Sequence, residues 1–308
     1  MVLPTITTLR FATPVEYAIG GNFASGPVLG DFNADGKVDA AVADVNGNTV
    51  VMLLGNGDGT FTKGASIASG GTTSYTNTRP VDLNGDGKLD LIVANLGSAN
   101  FSVLFGNGNG TLQAAQLYSA GARPFGIALG DLNADGKLDL VNGNNNGGTT
   151  VGLRLGNGTG VFPAAATPLT VNVNPDLVTL ADMNNDGKLD VVASSSSSNN
   201  VSLLLGNGNG TFQALRNVAL GAPTIGDVVA ADLNGDGKLD LALSDATSTR
   251  VVLGNGNGTF GAVASYTAGG VCLVSADLDN DGKLDLVSTS VGQLHVLLGK
   301  GDGTFQTV

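Results

Sequence analysis

The sequence has little of what enzymes commonly use for catalysis. It contains one cysteine, one histidine and no tryptophan in 308 residues, and Glu16 is its single glutamate. A lone cysteine excludes an intramolecular disulfide, and its apolar neighbours predict that Cys272 is a small buried residue, not a reactive thiol. With so few candidate acids, bases and nucleophiles, the sequence predicts no catalytic residue and no enzyme.

Basic residues are also scarce: 14 Lys and Arg stand against 26 Asp and Glu, giving a formal net charge of −12. Such acidity disfavours nucleic acid and anionic membrane surfaces as partners. No apolar run approaches the roughly 18 residues of a membrane span, so no membrane insertion is expected. Met1 is not followed by the charged and apolar regions of a secretory leader, which leaves a cytosolic protein or a removed leader open.

What the chain does have is glycine and aliphatic residues. Glycine accounts for 48 residues and hydrophobic residues for 42%, with a mean hydropathy of +0.20. Disordered glycine-rich chains are poor in Val, Ile and Leu, so this composition predicts a folded core with Gly and Asn in the turns.

An acidic nonapeptide recurs six times, and its first Asp lies at positions 31, 82, 131, 182, 232 and 277. A second motif, of the type LLGNGNGTF, keeps step with it and begins at positions 53, 104, 154, 204, 252 and 297. A period of about 50 residues indicates a repeat architecture. Each period contains short apolar segments bounded by turn residues and none with helical periodicity, which favours four strands per repeat.

We therefore predict an all-β fold: a six-bladed β-propeller of four-stranded antiparallel blades in a single domain over residues 1–308. The repeats begin near residues 26, 77, 125, 176, 226 and 271. The last copy stops soon after Phe305, which predicts that its outer strand is missing. Phe11 and Tyr17 repeat the six-residue step of the outer strands, so residues 11–19 are predicted to complete blade six and close the ring.

Oxygen-bearing side chains occupy positions 1, 3, 5 and 9 of every nonapeptide, with Gly at position 6 and Lys at position 7. Alternating oxygens before a Gly are typical of a loop around a hard cation. The Lys would contribute its backbone carbonyl and point its side chain outward. Plain hairpin-turn chemistry is the alternative, but six copies that keep a third carboxylate disfavour it, and Mg²⁺ fits less well than Ca²⁺ because its geometry is stricter.

Six divalent cations would offset the net charge of −12, and the sequence predicts about six Ca²⁺, one per blade. The predicted ligands are Asp31, Asn33, Asp35, Lys37 and Asp39; Asp82, Asn84, Asp86, Lys88 and Asp90; Asp131, Asn133, Asp135, Lys137 and Asp139; Asp182, Asn184, Asp186, Lys188 and Asp190; Asp232, Asn234, Asp236, Lys238 and Asp240; and Asp277, Asp279, Asp281, Lys283 and Asp285.

These motifs make the chain similar to the FG-GAP and VCBS-type repeats of integrin α-subunit propellers and of secreted bacterial proteins. The resemblance covers essentially the whole chain, and its most specific element is the nonapeptide. It implies a calcium-binding propeller and, with it, an extracellular location.

The connections that follow strand 2 differ among the copies, from DVNGNT (44–49) to SSSSSNN (194–200). They share one predicted face with the turns between strand 4 and the next blade. Since loops on a rigid scaffold commonly bind ligands, the leading hypothesis is a monomeric extracellular binding or adhesion module for a protein or glycan. A lyase-like carbohydrate-active propeller, with Arg79, Arg123 and Tyr75 as the nearest candidates, and a structural scaffold of a larger secreted protein are the alternatives.

Two features resemble functional sites, but we interpret both of them as structural. The GNGNG segment resembles a phosphate-binding loop, but a strand follows it where a dinucleotide fingerprint needs a helix. His295 falls in a variable, often polar column, which predicts a solvent-facing position without a catalytic role. The other members of that column are Val51, Ser102, Gly152, Ser202 and Arg250.

Overall fold

The computed structural model describes residues 15–21, 23–75, 80–163, 167–221, 226–290 and 292–307. Within these ranges there are 24 strands and no helix, and hence no helix that could cross a membrane. The strands are β1 (Val28–Gly30), β2 (Asp39–Asp44), β3 (Thr49–Gly55), β4 (Phe61–Ala68), β5 (Ser74–Tyr75), β6 (Leu91–Asn95), β7 (Asn100–Leu104), β8 (Gln116–Ser119), β9 (Pro124–Gly130), β10 (Asp139–Asn144), β11 (Thr150–Arg154), β12 (Leu169–Thr170), β13 (Pro175–Ala181), β14 (Asp190–Ser195), β15 (Asn200–Leu204), β16 (Arg216–Ala219), β17 (Val228–Ala231), β18 (Asp240–Ser244), β19 (Thr249–Gly254), β20 (Phe260–Tyr266), β21 (Cys272–Ala276), β22 (Asp285–Ser290), β23 (Gln293–Gly299) and β24 (Phe305–Thr307).

Each set of four consecutive strands forms one antiparallel sheet, and we number these sheets blades one to six along the chain. In blade one, Gly30 pairs with Asp39, and Gly55 pairs with Phe61. The nonapeptide therefore connects strands 1 and 2, and the glycine-rich motif connects strands 3 and 4. The predicted six-bladed all-β propeller of four-stranded antiparallel blades is confirmed.

The hydrophobic core lies between the blades. Five clusters of buried side chains each combine residues of two successive blades. Between blades one and two, for example, Val50 and Met52 pack with Leu91 and Val93. Strands 2 and 3 of most blades are buried on both faces, which explains why their sequences are apolar without alternation. At about 1.5–3 kcal/mol per buried aliphatic side chain, these interfaces dominate the stability of the ring.

Blade six differs from its prediction. Its outer strand is not missing, because Phe305–Thr307 form β24 and pair with β23, with Gly299 opposite Phe305. Residues 15–19 lie outside any strand, and Tyr17 and Ile19 pack against the blade-one cluster that includes Val51. Residues 11–14 lie outside the described residues, so completion of blade six by residues 11–19 stays a prediction.

Blades one and six expose apolar side chains whose counterparts in other blades are buried or half-buried. Leu294 of blade six is 52% exposed, whereas Val50, at the same place in blade one, is fully buried. Among the described residues, no core cluster joins blade six to blade one. We call this region the seam and define it by Leu29, Val38, Val274, Leu278 and Leu294.

Candidate functional site

Each nonapeptide folds back on its first aspartate. In blade five, Asp232 Oδ1 accepts hydrogen bonds from the backbone N–H groups of Gly235 and Asp236, at 2.7 and 3.1 Å, and Oδ2 accepts that of Gly237 at 2.8 Å. The Asn234 side-chain oxygen accepts from Asp236 N–H at 3.0 Å. These bonds curl the loop so that its oxygen-bearing side chains converge, and each carboxylate keeps further lone pairs for a ligand.

The ninth residue of the nonapeptide joins two loops. Asp240 is fully buried; its Oδ2 accepts the N–H of Leu233 at 2.9 Å and its Oδ1 accepts that of Gly254 at 2.7 Å. The other five copies make the same pair of bonds through Asp39, Asp90, Asp139, Asp190 and Asp285. The third carboxylate thus ties the strand 1–2 loop to the strand 3–4 turn, a role that sequence reasoning missed.

The first glycine of each glycine-rich turn lies directly against the nonapeptide. A Cβ on Gly254 would stand 2.1 Å from the carbonyl oxygen of Leu239, the residue before Asp240. The first turn glycine of every other blade has the same contact, at 2.0–2.2 Å. Only glycine permits this approach, so the Gly and the buried Asp recur together because one joint needs both.

The lysine side chains are partly exposed, and each one pairs with the carboxylate two residues before it. Lys238 Nζ lies 3.0 Å from Asp236 Oδ2, and its methylene stem lies over Gly256 of the adjacent turn. All six copies make this ion pair, at 2.6–3.5 Å, through Lys37, Lys88, Lys137, Lys188, Lys238 and Lys283. Such exposed pairs contribute little stability individually, and the lysine covers the turn while its backbone carbonyl stays in the loop.

Blade six carries the most acidic version of the donor set. Oxygens on opposite sides of a Ca²⁺ ion lie roughly 5 Å apart. One carboxylate oxygen each from Asp277, Asp279 and Asp285 lie within 4.8 Å of one another, the only such acidic triad in the described ranges. The other five loops carry Asn at the third position, a neutral oxygen ligand of the same reach. Binding of a cation by the thirty predicted residues stays a prediction.

Charge crowding in the loops is visible in one aspartate in particular. The pKa of Asp190 is raised to about 6, chiefly by burial and to a smaller extent by the neighbouring carboxylates of Asp182 and Asp186. Burial also raises the pKa of Asp240, with Asp232 and Asp236 adding to the effect. A cation in the loop would reverse this by favouring the charged form.

The turns also lock neighbouring blades together. The N–H of Gly110 in blade two donates to Phe32 O in the loop of blade one at 3.0 Å, and Gly210 donates to Leu132 O at 2.9 Å in the same way. We call this side of the molecule, formed by the strand 1–2 loops and strand 3–4 turns, the constant face. Its repeated sequences serve the joints between and within blades.

The opposite side, formed by the strand 2–3 loops and the strand 4–1 connections, we call the variable face. Here non-glycine residues adopt left-handed backbone conformations, including Thr73 at φ 53° and Arg123 at φ 51°. Hydrogen bonds hold the loops, such as Thr72 N–H to Ser98 Oγ at 2.6 Å and Asn174 Nδ2 to Ser197 Oγ at 2.7 Å.

Three other sequence predictions have outcomes in the structure. Cys272 is exposed on β21, so the predicted burial is wrong. His295 is half-buried and contacts Ser290 Oγ through Nε2 at 3.1 Å, and its column includes the fully buried Val51, so the predicted solvent-facing position is wrong too. Of the lyase-like candidates, Arg79 lies outside the described residues and Tyr75 packs against Phe125 with ring centroids 5.4 Å apart.

The model of the FG-GAP-like repeat matches five overlapping segments, residues 31–93, 82–142, 131–193, 182–243 and 232–288. The chain belongs to this family. Each matched FG-GAP segment runs from one nonapeptide to the next blade, so the family's unit is the joint described above together with the strands around it. No curated protein sequence matches the chain significantly.

Solved structures similar to this FG-GAP chain are propeller-like but distant in sequence. A lectin of Agrocybe aegerita, solved to explain recognition of non-reducing terminal N-acetylglucosamine, is 21% identical with a TM-score of 0.65, covering 91% of this chain and 78% of its own. A putative 6-phosphogluconolactonase from Bacteroides uniformis is 16% identical with a TM-score of 0.66, covering 89% and 82%. The V. cholerae biofilm matrix protein Bap1 is 19% identical with a TM-score of 0.52, covering 82% of this chain and 41% of its own. At these identities the likeness shows the fold alone.

Proposed function

We propose that this protein is a calcium-stabilised extracellular binding module whose variable face holds a protein or a glycan. One observation carries the proposal: six near-identical loops form the constant face, and six dissimilar polar loops form the opposite face of the same frame. The repeated sequence lies in the loops that tie strands and blades together on the constant face. The sequence varies among the loops of the variable face. A scaffold of this kind presents loops for recognition.

Calcium would be held by the side chains at positions 1, 3, 5 and 9 of each nonapeptide and by the position-7 carbonyl. When bound, the ion supplies positive charge to a turn that otherwise crowds three or four carboxylates. A filled site stabilises the fold by about 1.4 kcal/mol when free calcium is ten times its Kd. Calcium is millimolar outside cells, where modules with calcium sites of low affinity are common, and we include an extracellular location in the proposal.

The variable face suits hydrogen bonding to hydroxyl groups. Its loops are rich in Ser, Asn and Thr, as in the segment SSSSSNN (194–200). The similarity to a lectin and to a biofilm matrix protein supports a binding role, whereas the similarity to a putative 6-phosphogluconolactonase concerns a scaffold that also supports enzymes.

The test is a glycan array with the full chain in calcium, followed by capture of protein partners. A variant in which Ser196, Ser197, Ser198 and Asn199 are all replaced by Gly removes the polar side chains of one loop of the variable face. Lys300→Ala, in a strand 3–4 turn outside the predicted calcium ligands, alters the constant face as its control. We expect the loop variant to lose binding and the control to keep it. Binding that survives the loop change and disappears with the control would overturn the proposal. Calcium is tested separately, by metal analysis and by melting in calcium and in chelator.

A further inference from the structure

A cavity of about 260 Å³ lies between blades two and three. Blade two contributes residues 119–122, at the start of its strand 4–1 connection, and blade three contributes Asn142, Asn144, Thr150 and Arg154. Gly148, in the strand 2–3 loop of blade three, also lines it, so the cavity belongs to the variable face. Its volume is just below the range of pockets for drug-sized ligands, which fits a ligand the size of a single sugar ring.

The cavity exists because blade three departs from the other blades at three positions. Strand pairing aligns Arg154, opposite Leu140, with residues that are Leu or Val in every other copy and are buried: Leu53, Leu104, Leu204, Val252 and Leu297. Asn142 lies in a column whose other members are Val42, Val93, Ala193, Leu243 and Ser288. Blade three thus places an arginine and an amide where its neighbours place mainly aliphatic side chains.

The third of these positions, Gly152, leaves space for the second, Asn142. Gly152 pairs with Asn142 across β10 and β11, and a Cβ at position 152 would stand 2.3 Å from Asn142 Oδ1. Any larger residue would displace the amide. The amide is in turn fixed by bonds from Nδ2 to Ala120 O at 3.0 Å and to Asn144 Oδ1 at 2.8 Å. The three substitutions therefore form one arrangement around the cavity.

Arg154 is buried without a counter-ion. It is 8% exposed, and no ion pair joins it to a carboxylate of the described residues. Nη2 donates to Ser119 O at 2.5 Å and Nη1 to Phe162 O at 3.4 Å, and the guanidinium carbon lies 5.8 Å from the Phe101 ring centroid and 5.9 Å from that of Tyr118. Two carbonyl acceptors leave part of its five-donor capacity unused.

Another arginine shows how the same fold compensates such a charge. Arg250, at the Gly152 position of blade five, also donates to a carbonyl of the preceding blade, Leu220 O at 3.2 Å, but it lies 3.4 Å from Asp245 Oδ2 as well. Buried arginines usually need such a carboxylate. At Arg154 the carboxylate is the missing component, and the cavity beside it has room for one.

We propose that this cavity binds a small hydroxylated carboxylate, with Arg154 holding the carboxylate and Asn142, Asn144 and Thr150 contacting hydroxyl groups. The chemical class is a sugar acid, free or at the end of a glycan. The inference rests on the proposed function only in using the variable face as the binding side. Arginine suits the task because its planar donors match a carboxylate in pairs.

The experiment is titration calorimetry of the full chain with D-glucuronate, D-glucose and inorganic sulfate. We expect saturable binding of glucuronate and at least tenfold weaker binding of glucose. Arg154→Leu should weaken glucuronate binding at least tenfold while melting at or above the wild-type temperature, because Leu is the residue that most other blades use there. Asn142→Val, which inserts another blade's residue, should also weaken binding. Arg216→Leu removes a charge from another blade and should leave binding unchanged.

Absence of glucuronate binding, or equal binding by wild type and Arg154→Leu, would overturn the inference and leave Arg154 as a purely structural residue. Tight binding of sulfate in preference to glucuronate would overturn the carboxylate assignment. A neutral glycan bound equally by wild type and Arg154→Leu would sustain the proposed function and overturn this inference. Arg154-dependent glucuronate binding, with no glycan or protein partner found for the variable face, would sustain this inference and overturn the proposed function.

Discussion

The Tyr17 hydroxyl accepts the backbone N–H of Phe61 at 2.9 Å, and the two rings meet edge to face with centroids 5.7 Å apart. Tyr266 of blade five and Phe305 of blade six repeat this contact at 3.2 Å, with centroids 5.6 Å apart. Because Tyr266 belongs to the fourth strand of its blade, Tyr17 stands to blade one as a fourth-strand tyrosine of the preceding blade would. This is the contact that the predicted closure by the N-terminal segment requires.

Removal of the Tyr17 side chain should therefore destabilise the protein. We expect Tyr17→Ala to lower the free energy of unfolding by about 2–3 kcal/mol, through lost ring packing, and Tyr17→Phe by about 1 kcal/mol, through the lost hydrogen bond. Denaturant unfolding measures both, and Tyr266→Phe is the matched comparison. A Tyr17→Ala protein as stable as wild type would show that the segment is not needed for closure.

The buried aspartate at position 9 should matter with or without calcium. Asp240→Ala leaves the N–H groups of Leu233 and Gly254 without their carboxylate, at a cost of about 1–3 kcal/mol each. We expect its melting temperature to fall in chelator as well as in calcium. The exposed Asp236→Ala should lower the melting temperature chiefly in calcium. Equal behaviour of the two variants in chelator would contradict a structural role for Asp240.

The close approach at the first turn glycine predicts strong discrimination between two glycines of one blade. Gly254→Ala would place a Cβ 2.1 Å from a backbone oxygen, so the loop or the strand must shift, and we expect a loss of about 2–4 kcal/mol. Gly261→Ala, whose Cβ would have ordinary contact at 3.7 Å, should change stability by less than about 1 kcal/mol. Thermal melts of the two variants test this prediction. Similar losses of stability would show that the loop or the strand shifts more easily than the close approach at Gly254 indicates.

Asp227 predicts a pH dependence with a definite sign. Burial raises its pKa, so the folded state binds more protons than the unfolded state above about pH 4, and its contribution to stability falls as pH rises through that window. Relative to Asp227→Asn, the wild type should lose free energy of unfolding between pH 4 and pH 7. Asp58, whose pKa is lowered by hydrogen bonds from Thr60, is the opposite case: relative to Asp58→Asn, the wild type should gain free energy of unfolding as the pH rises toward about 4 and show no difference in slope above that pH. A flat difference for Asp227→Asn would contradict the prediction.

The acidic triad of blade six predicts unequal calcium affinities. Asp279 adds one negative charge that the other loops lack, and affinity rises with ligand charge. Asp279→Asn gives blade six the composition of its neighbours, so calorimetry should show loss of the tightest site while the weaker ones remain. Asn234→Asp in blade five should create a second tight site. Unchanged isotherms for both variants would contradict the charge argument.

The sequence predicted the frame well because the frame is repetitive. The spacing of the Asp31 and Asp82 loops set the blade length, and the apolar runs between them set the strands. The sequence did not reveal the second function of Asp39 and its counterparts, because the glycine N–H that completes the joint lies 16 residues away. Nor did it reveal the lysine pairing, although Asp and Lys recur at positions 5 and 7 of every nonapeptide, because the Lys was interpreted only as a source of a backbone carbonyl.

Single departures from the repeats were harder to interpret. The polar members of its column predict an exposed His295, yet that column faces the preceding blade, where a carbonyl such as Ser69 O accepts the hydroxyl of the buried Ser102. The apolar neighbours of Cys272 predict that it is buried, but it is exposed because its strand, β21, belongs to blade six, whose apolar side chains are partly uncovered. The Arg154 cavity became visible only when the strand register showed which residues share a column.

The seam gives the ring two ends in energetic terms. Blades two to five are each held from both sides by core clusters, whereas blade six has a cluster with blade five alone among the described residues. In a linear array of repeats, unfolding starts where neighbour contacts are fewest and spreads inward. Local unfolding of this propeller should therefore begin at β21 to β24. We expect the backbone amides of these strands to exchange fastest, and the amides around the cavity between blades two and three to exchange slowest.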